Sequence, residues 1–220
     1  EKLGRILLLS DSAHSFGAIY NGKRSGSLAD ISSFSFHAVK NLTTAEGGAL
    51  CFNLPDDFDH SSIYAEMCTK ILHGQNKDAL AKTQKGNWKY DVVEPGFKCN
   101  MTDIQAAIGL IELERYQENL DRRKSIFDQY SQAFKNESWA INPLFETENK
   151  TSSYHLYLLR IDGAKEKNRD AIMQEIFNDD VAVNVHFQPL PLLTAYKNLG
   201  FKMSDYPESY ESFANEISLP

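Results

Sequence analysis

The chain has 220 residues, 42% hydrophobic and 24% charged, proportions that suit a soluble globular protein with one large domain or a larger and a smaller one. Its 30 acidic against 23 basic residues give a net charge of −7, and the basic residues are scattered, which disfavours nucleic acid, whose phosphates demand a concentrated positive surface. No apolar stretch reaches the roughly 20 residues that span a bilayer, and Cys51, Cys68 and Cys99 suggest neither a disulfide framework nor a zinc site, so the reducing cytoplasm is the expected location.

Residues 6–9 form a continuous apolar run stopped by Ser10-Asp11, the pattern of a strand buried on both faces. Residues 31–36 alternate, with Ile31, Ser33 and Ser35 on one side and Ser32, Phe34 and Phe36 on the other. Residues 49–52, after Gly47-Gly48, make a third short strand. Strands so close together, with little helix between them, predict antiparallel or mixed pairing. Over 57–72 the period becomes helical, with Ile63, Tyr64, Met67, Cys68, Ile71 and Leu72 on one stripe. Residues 73–98 then form a long polar segment punctuated by Gly74, Gly86, Trp88, Tyr90, Pro95 and Gly96, and loops of that length usually carry function or meet a partner.

Thr102-Asp103-Ile104-Gln105 is a capping box, in which the threonine hydroxyl and the glutamine amide satisfy each other's backbone donors. The helix it opens should run, with a break, to about Phe134. A polar linker is expected over 142–153, then a strand (154–161), a helix (168–177) and a strand (182–186). That β-α-β unit reads as a second, smaller domain, dividing the chain into 1–140 and 141–220. The sequence enters strand-like residues at once and stops at Ile217-Ser218-Leu219-Pro220 as another apolar segment begins, so a piece of a longer protein is expected.

Two segments carry candidate chemistry. Asp11 lies just past an apolar strand, where open α/β sheets bind ligands, although aspartate also caps turns and helices by local hydrogen bonding. Lysine is ordinarily a solvated surface residue. Lys40, however, follows an apolar strand and precedes paired glycines that permit close approach to a ligand. A lysine desolvated in such a place loses basicity and frees its amine to attack a carbonyl.

Taken together, D-S-A-H-S-F-G (11–17), S-F-S-F-H-A-V-K-N-L-T-T-A-E-G-G-A (33–49), H-G (73–74), P-G-F-K-C-N-M-T-D-I-Q-A-A-I-G-L (95–110) and V-H-F-Q-P-L (185–190) resemble the DegT/DnrJ/StrS family of sugar aminotransferases. The motifs run in order along essentially the whole chain. The resemblance implies an α/β fold of the aspartate aminotransferase type (fold type I). This is a mixed sheet flanked by helices, present here in part, followed by a smaller C-terminal α+β domain. It implies pyridoxal 5'-phosphate as cofactor and homodimers that share their active sites.

On that resemblance Lys40 is the Schiff-base lysine and proton shuttle. Asp11 pairs with the pyridine nitrogen and keeps the ring an electron sink. His14 lies near the cofactor's phenolic oxygen, and Ser35 contacts its phosphate. Many relatives read G-Y-N-Y-R where this chain has Gly96-Phe97-Lys98-Cys99-Asn100, so Lys98 or Asn100 would reach the phosphate of the neighbouring subunit. His37 either lines the site or is a satisfied core histidine, and His186 either touches the sugar or is structural. Trp88 and Tyr90 would pack on the partner subunit or a nucleotide.

The family's upstream Gly-Thr segment and its ring-stacking aromatic have no counterpart here. About 150 residues, roughly a domain's worth, are expected beyond this chain, and in isolation it should bind cofactor weakly or not at all. The activity implied is transfer of an amino group from glutamate or glutamine to a keto group of a nucleotide-linked sugar, for amino-sugar or surface-polysaccharide biosynthesis. Two rivals are a sugar dehydratase, in whose relatives histidine replaces the lysine, and a non-catalytic regulator of the kind described for some relatives.

Overall fold

In the computed structural model, which describes residues 3–77, 82, 83, 85, 86 and 88–220, the chain divides into two units, Glu1–Gln117 and Glu118–Pro220. Part of the long segment expected over 73–98 (residues 78–81, 84 and 87) lies outside the described residues.

The first unit is organised by a mixed sheet, as the strand spacing predicts. β1 (Leu9–Asp11) pairs parallel with β4 (Ile31–Ser35), placing Asp11 opposite Ser33. β4 pairs antiparallel with β5 (Gly48–Phe52), from Ile31↔Phe52 to Ser35↔Gly48. Between β1 and β4 a small hairpin joins β2 (Ile19–Tyr20) to β3 (Lys23–Arg24). Its turn residues Asn21 and Gly22 have φ of 48° and 74°, the left-handed pair that a tight hairpin selects.

The strand expected at 6–9 is displaced to β1. Ile6 is 84% and Leu9 67% exposed, so this run is not buried on both faces. Asp30 explains the shift: it accepts both Arg5 guanidinium nitrogens, at 2.5 and 2.6 Å, and the Leu8 N–H at 2.8 Å. The approach to the sheet is thereby pinned outside the ladder.

α1 (His60–Ile71) starts later than the sequence suggests, because the Asp59 side chain caps it by accepting from the Ser62 N–H at 3.0 Å. Of its apolar stripe Ile63, Met67 and Cys68 are half-buried and Tyr64 is exposed. α2 (Asp103–Glu114) opens with both halves of the predicted capping box. The expected break falls at Arg115, and α3 (Tyr116–Phe134) comes next.

In the second unit β9 (Tyr157–Ile161) is paired antiparallel on both sides, with β10 (Glu216–Leu219) and with β6 (Ala140–Ile141). The expected linker over 142–153 instead holds a hairpin of β7 (Glu146–Thr147) and β8 (Lys150–Thr151). Its turn is held by Thr147 Oγ1 donating to Asn149 at 2.9 Å, and Lys150 Nζ donates to the Leu144 carbonyl at 2.9 Å. α4 (Glu166–Asn178), α5 (Thr194–Asn198) and α6 (Pro207–Ala214) complete the unit.

The strand expected at 182–186 does not form. Both flanks of β9 are taken, so Asn184 makes only an isolated bridge to Ser218 on β10. Val183 nonetheless enters the core with Ile161 and Ile217, against Met173 and Ile176. Phe127 packs edge-on to Phe145, Tyr154 and Tyr157, at centroid distances of 5.2–5.5 Å.

Candidate active site

Because β1 and β4 are parallel neighbours, their carboxyl ends emerge side by side, the place where α/β sheets bind ligands. Asp11 ends β1. Its Oδ1 accepts the Ala13 N–H at 3.1 Å, closing a local turn, while its side chain stays exposed. The turn-forming aspartate and the ligand-facing carboxylate are thus compatible. The turn is rooted by Ser12, whose N–H donates to the Ser33 carbonyl at 2.8 Å and whose hydroxyl meets Ser10 Oγ at 3.0 Å. His14 is half-buried in the same turn. Below it Phe16 packs edge-on against Phe34, Phe36 and Tyr116, and the Tyr116 hydroxyl donates to the Phe16 carbonyl.

Ser35 ends β4, and its hydroxyl accepts the His37 N–H at 3.3 Å. The Lys40 N–H then returns to the His37 carbonyl at 2.9 Å, so residues 37–40 form one tight turn with Lys40 half-buried. The stretch from Leu42 to Gly47 anchors that turn. Leu42 and Thr44 are each 1% exposed. The Thr44 N–H donates to the Phe36 carbonyl at 2.9 Å and the Phe36 N–H to Gly47 at 2.8 Å. His37 is not in a core: its side chain is 47% exposed, with Nε2 3.6 Å from Glu46.

The start of α2 locks the same loop. Gln105 Oε1 accepts the Thr102 N–H at 2.8 Å, while its Nε2 donates to the Glu46 carbonyl at 2.8 Å. One turn further on, a Cβ at Gly109 would stand 2.9 Å from Thr44 Cγ2. The helix accepts a poor helix former there because it must approach the loop closely. Sequence reasoning missed both Gln105 and Thr44 as supports of Lys40. The capping box was a visible signal for Gln105, but only its local half could be read.

The His73-Gly74 and Pro95-Gly96 motifs meet each other. The His73 N–H donates to the Phe97 carbonyl at 2.9 Å. A Cβ on Gly96 would lie 2.2 Å from the Gly74 nitrogen, and one on Gly74 would lie 1.7 Å from the Glu94 carbonyl oxygen. Lys70 clamps this junction with Glu94 at 2.7 Å and Glu66 at 2.9 Å, contacts that raise its pKa, Glu94 foremost. Beyond it, Lys98 Nζ donates to the Asn100 side chain, so the two alternative phosphate partners form one polar pair. Trp88 and Tyr90 are exposed.

His186 belongs to the second unit. Its Nδ1 lies 2.6 Å from Ser218 Oγ, which also lies 2.6 Å from Glu216 Oε1, and its N–H donates to Glu216 Oε2 at 2.9 Å. Burial pushes the Glu216 carboxyl up from its ordinary pKa. Neither Glu216 nor Ser218 was legible as a site residue, since both sit in an ordinary apolar-polar strand pattern.

These features define an α/β protein that presents an acid and a lysine past the carboxyl ends of adjacent parallel strands. Residues 3–220 match the model of the DegT/DnrJ/EryC1/StrS aminotransferase family, and the chain belongs to that family. Among solved structures it is similar to Spr1654 of Streptococcus pneumoniae, provisionally described as a sugar aminotransferase. The likeness to its PMP form is 52% identity and a TM-score of 0.92, over 98% of this chain and 54% of that one, and the same protein is also solved in a PLP form.

Among curated proteins, the spore coat polysaccharide biosynthesis protein SpsC of Bacillus subtilis is 33% identical over 98% of this chain and 54% of its own length. The UDP-4-amino-4,6-dideoxy-N-acetyl-β-L-altrosamine transaminase of Campylobacter jejuni is 29% identical over 98% and 53%. The chain therefore spans about half the length of the relatives it matches. The likeness establishes the mixed-sheet α/β architecture of these aminotransferases. Among the described residues no helix is long and apolar enough to cross a membrane.

Proposed function

We propose that the protein containing this chain moves an amino group between an amino acid and a nucleotide-linked keto sugar, with pyridoxal 5'-phosphate as cofactor. The single observation carrying this reading is Lys40, half-buried on an anchored turn at the sheet end where Asp11 also emerges. The donor set fits the group: an amine for the aldehyde, a carboxylate for the ring nitrogen, and hydroxyl, ammonium and amide donors for phosphate. When bound, the cofactor supplies an aldehyde that joins to amines and a ring that accepts an electron pair.

Lys40 would hold that aldehyde and would be the residue that carries the proton. Asp11 would keep the ring nitrogen protonated, and His14 would serve the phenolic oxygen. Ser35 and the Lys98–Asn100 pair would hold phosphate, the latter across a homodimer interface. Exposed Ile104, Ile108, Leu110, Ile111 and Leu113 on α2 support such coverage, since apolar surface on several sides of a helix marks one buried by further protein. Residues 1–140 would belong to the cofactor-binding domain and 141–220 to the small one. His37 and His186 are assigned to the sugar, glutamate or glutamine to the donor, and amino-sugar or polysaccharide synthesis to the product. The free thiols Cys51, Cys68 and Cys99 suit the cytoplasm.

The test takes the protein containing this chain, adds pyridoxal phosphate, reduces with borohydride and maps the modified peptide. The expected result is modification at Lys40 together with a visible absorbance band that Lys40→Ala abolishes. A band that persists unchanged in Lys40→Ala sinks the assignment. Incubating UDP-4-amino-4,6-dideoxy-N-acetyl-β-L-altrosamine with 2-oxoglutarate should give glutamate; loss of oxygen from a keto sugar without amine transfer would favour the dehydratase instead.

A further inference from the structure

The last carbonyls of an α-helix have no partner within the helix, and at the end of α1 the 97–99 segment supplies the donors. The Phe97 N–H reaches the Lys70 carbonyl at 2.7 Å and the Cys99 N–H the Ile71 carbonyl at 3.0 Å, while the His73 N–H returns to the Phe97 carbonyl at 2.9 Å. Lys98, between Phe97 and Cys99, bridges antiparallel to Leu72. Alternate residues of an extended segment face the same side, and Lys98 Nζ accordingly donates to the Asn100 side chain. An ammonium has three protons, so two remain for a further acceptor. Lys98 is exposed and Asn100 half-buried, and the pair stands on backbone fixed to the helix end.

Lys70 ties the same segment down a second time, through its side chain. Its Nζ donates to Glu94 Oε2 at 2.7 Å and lies 2.9 Å from Glu66 Oε1, one helical turn back. Helix stabilisation accounts for Glu66, since a cation near the last carbonyls and an i,i+4 pair each help a helix. It does not account for Glu94, which reaches α1 from the chain just before Gly96. With the two side chains 34% and 31% exposed, that ion pair adds little to overall stability. What it adds is location, because it fixes the entry to the turn whose exit carries Lys98 and Asn100. We infer that Lys70 and Glu94 are positioning residues that set the Lys98–Asn100 pair for a phosphate group. The inference rests on the proposed function, which assigns that pair to the phosphate of the cofactor. Charge-assisted hydrogen bonds to phosphate are short and directional, so an entry strand free to drift weakens them while the loop stays folded.

The test titrates the cofactor-free protein that contains this chain with pyridoxal 5'-phosphate and, separately, with pyridoxal, following the visible absorbance band. The two differ only in the phosphate, so the ratio of their dissociation constants reports the phosphate contacts alone. Lys70→Met and Glu94→Met should each cut the preference for pyridoxal phosphate about fivefold, the weight of one ordinary hydrogen bond, and leave pyridoxal binding unchanged. The double variant should lose no more than either single one, because both remove the same tie. Lys70→Arg, which keeps a cation within reach of Glu94, should restore the preference. Glu66→Gln should hold it within about twofold, the scale of an exposed helix pair.

A preference untouched in Lys70→Met and Glu94→Met but lost in Lys98→Ala overturns the inference and leaves the phosphate assignment standing. So does an equal loss of affinity for pyridoxal and pyridoxal phosphate, which would show general loosening of the loop, or a Glu66→Gln protein that behaves like Glu94→Met. A preference that survives the double variant Lys98→Ala, Asn100→Ala strikes the phosphate assignment itself, and the inference falls with it. Should a Met variant fail to fold, Glu94→Asp decides: one methylene shorter, it should also lower the preference, and a wild-type ratio there counts against the positioning role.

Discussion

Gly96 has no side chain because three backbone atoms occupy the place of one. A Cβ there would meet the Gly74 nitrogen at 2.2 Å, the Lys70 carbonyl oxygen at 2.6 Å and the His73 carbonyl carbon at 2.7 Å. None of these is the end of a flexible side chain. Gly96→Ala must therefore push the loop off the end of α1, breaking the His73–Phe97 and Lys70–Phe97 backbone bonds of 2.9 and 2.7 Å. The expected cost is about 3 kcal/mol, the upper part of the range for overpacking, measured by urea unfolding. A loss below about 0.5 kcal/mol, the scale of an ordinary surface change, would mean that the close approach is not maintained in solution. Gly22→Ala is the control. That glycine, unlike Gly96, has a positive φ, and its Cβ would meet nothing within 4 Å, so left-handed strain is all that its substitution adds.

At the scale of elements, α2 is both a helix and a brace. Thr102→Ala removes the hydroxyl that accepts the Gln105 N–H at 3.3 Å and should cost about 1 kcal/mol, as N-cap truncations do. Gln105→Ala removes the reciprocal contact and also the bond to Glu46. It should therefore speed hydrogen exchange at the Phe36 and Thr44 amides of the Lys40 loop, while Thr102→Ala leaves them protected. Equal exchange in the two variants would dismiss the brace. This pair also marks what was legible in the sequence. The capping box and the alternation of β4 are local patterns and were readable directly. The displaced strand at 6–9 and the missing strand at 182–186 depend on distant partners, Asp30 in one case and the paired flanks of β9 in the other. The β7–β8 hairpin is two residues to a side, too short for periodicity to register, and the equally short β2–β3 hairpin, which turns on Asn21-Gly22, was not expected from the sequence either. At the candidate site, Asp11 and Lys40 stood out because residue type, strand end and motif agreed. Glu216 and Ser218 did not, because their chemistry arises only when β10 meets the His186 segment.

Across the whole chain, acid should act unequally on the two units. In the first, Asp30 is held at a pKa of about 2 against an ordinary 3.8, chiefly by hydrogen bonding to Arg5 and then to the Leu8 N–H, with desolvation opposing. A depressed folded pKa stabilises above the unfolded value and loses that contribution as pH falls through the folded one. The first unit should thus weaken between about pH 4 and 2. In the second, Glu146 behaves the same way, lowered foremost by the Tyr154 hydroxyl and also by Lys124. Glu216 has the opposite sign: raised by burial, it stabilises below the ordinary carboxylate value and loses that contribution as pH rises through its folded pKa. The second unit should therefore respond more flatly to acid. Trp88 and Trp139, one in each unit, separate the two responses by fluorescence in Trp88→Phe and Trp139→Phe proteins. Asp30→Asn should lower stability of the first unit at neutral pH and flatten its acid slope, leaving the Trp139 signal unmoved. If the slope reported by Trp88 survives Asp30→Asn, the carboxylates that govern acid unfolding of that unit lie elsewhere.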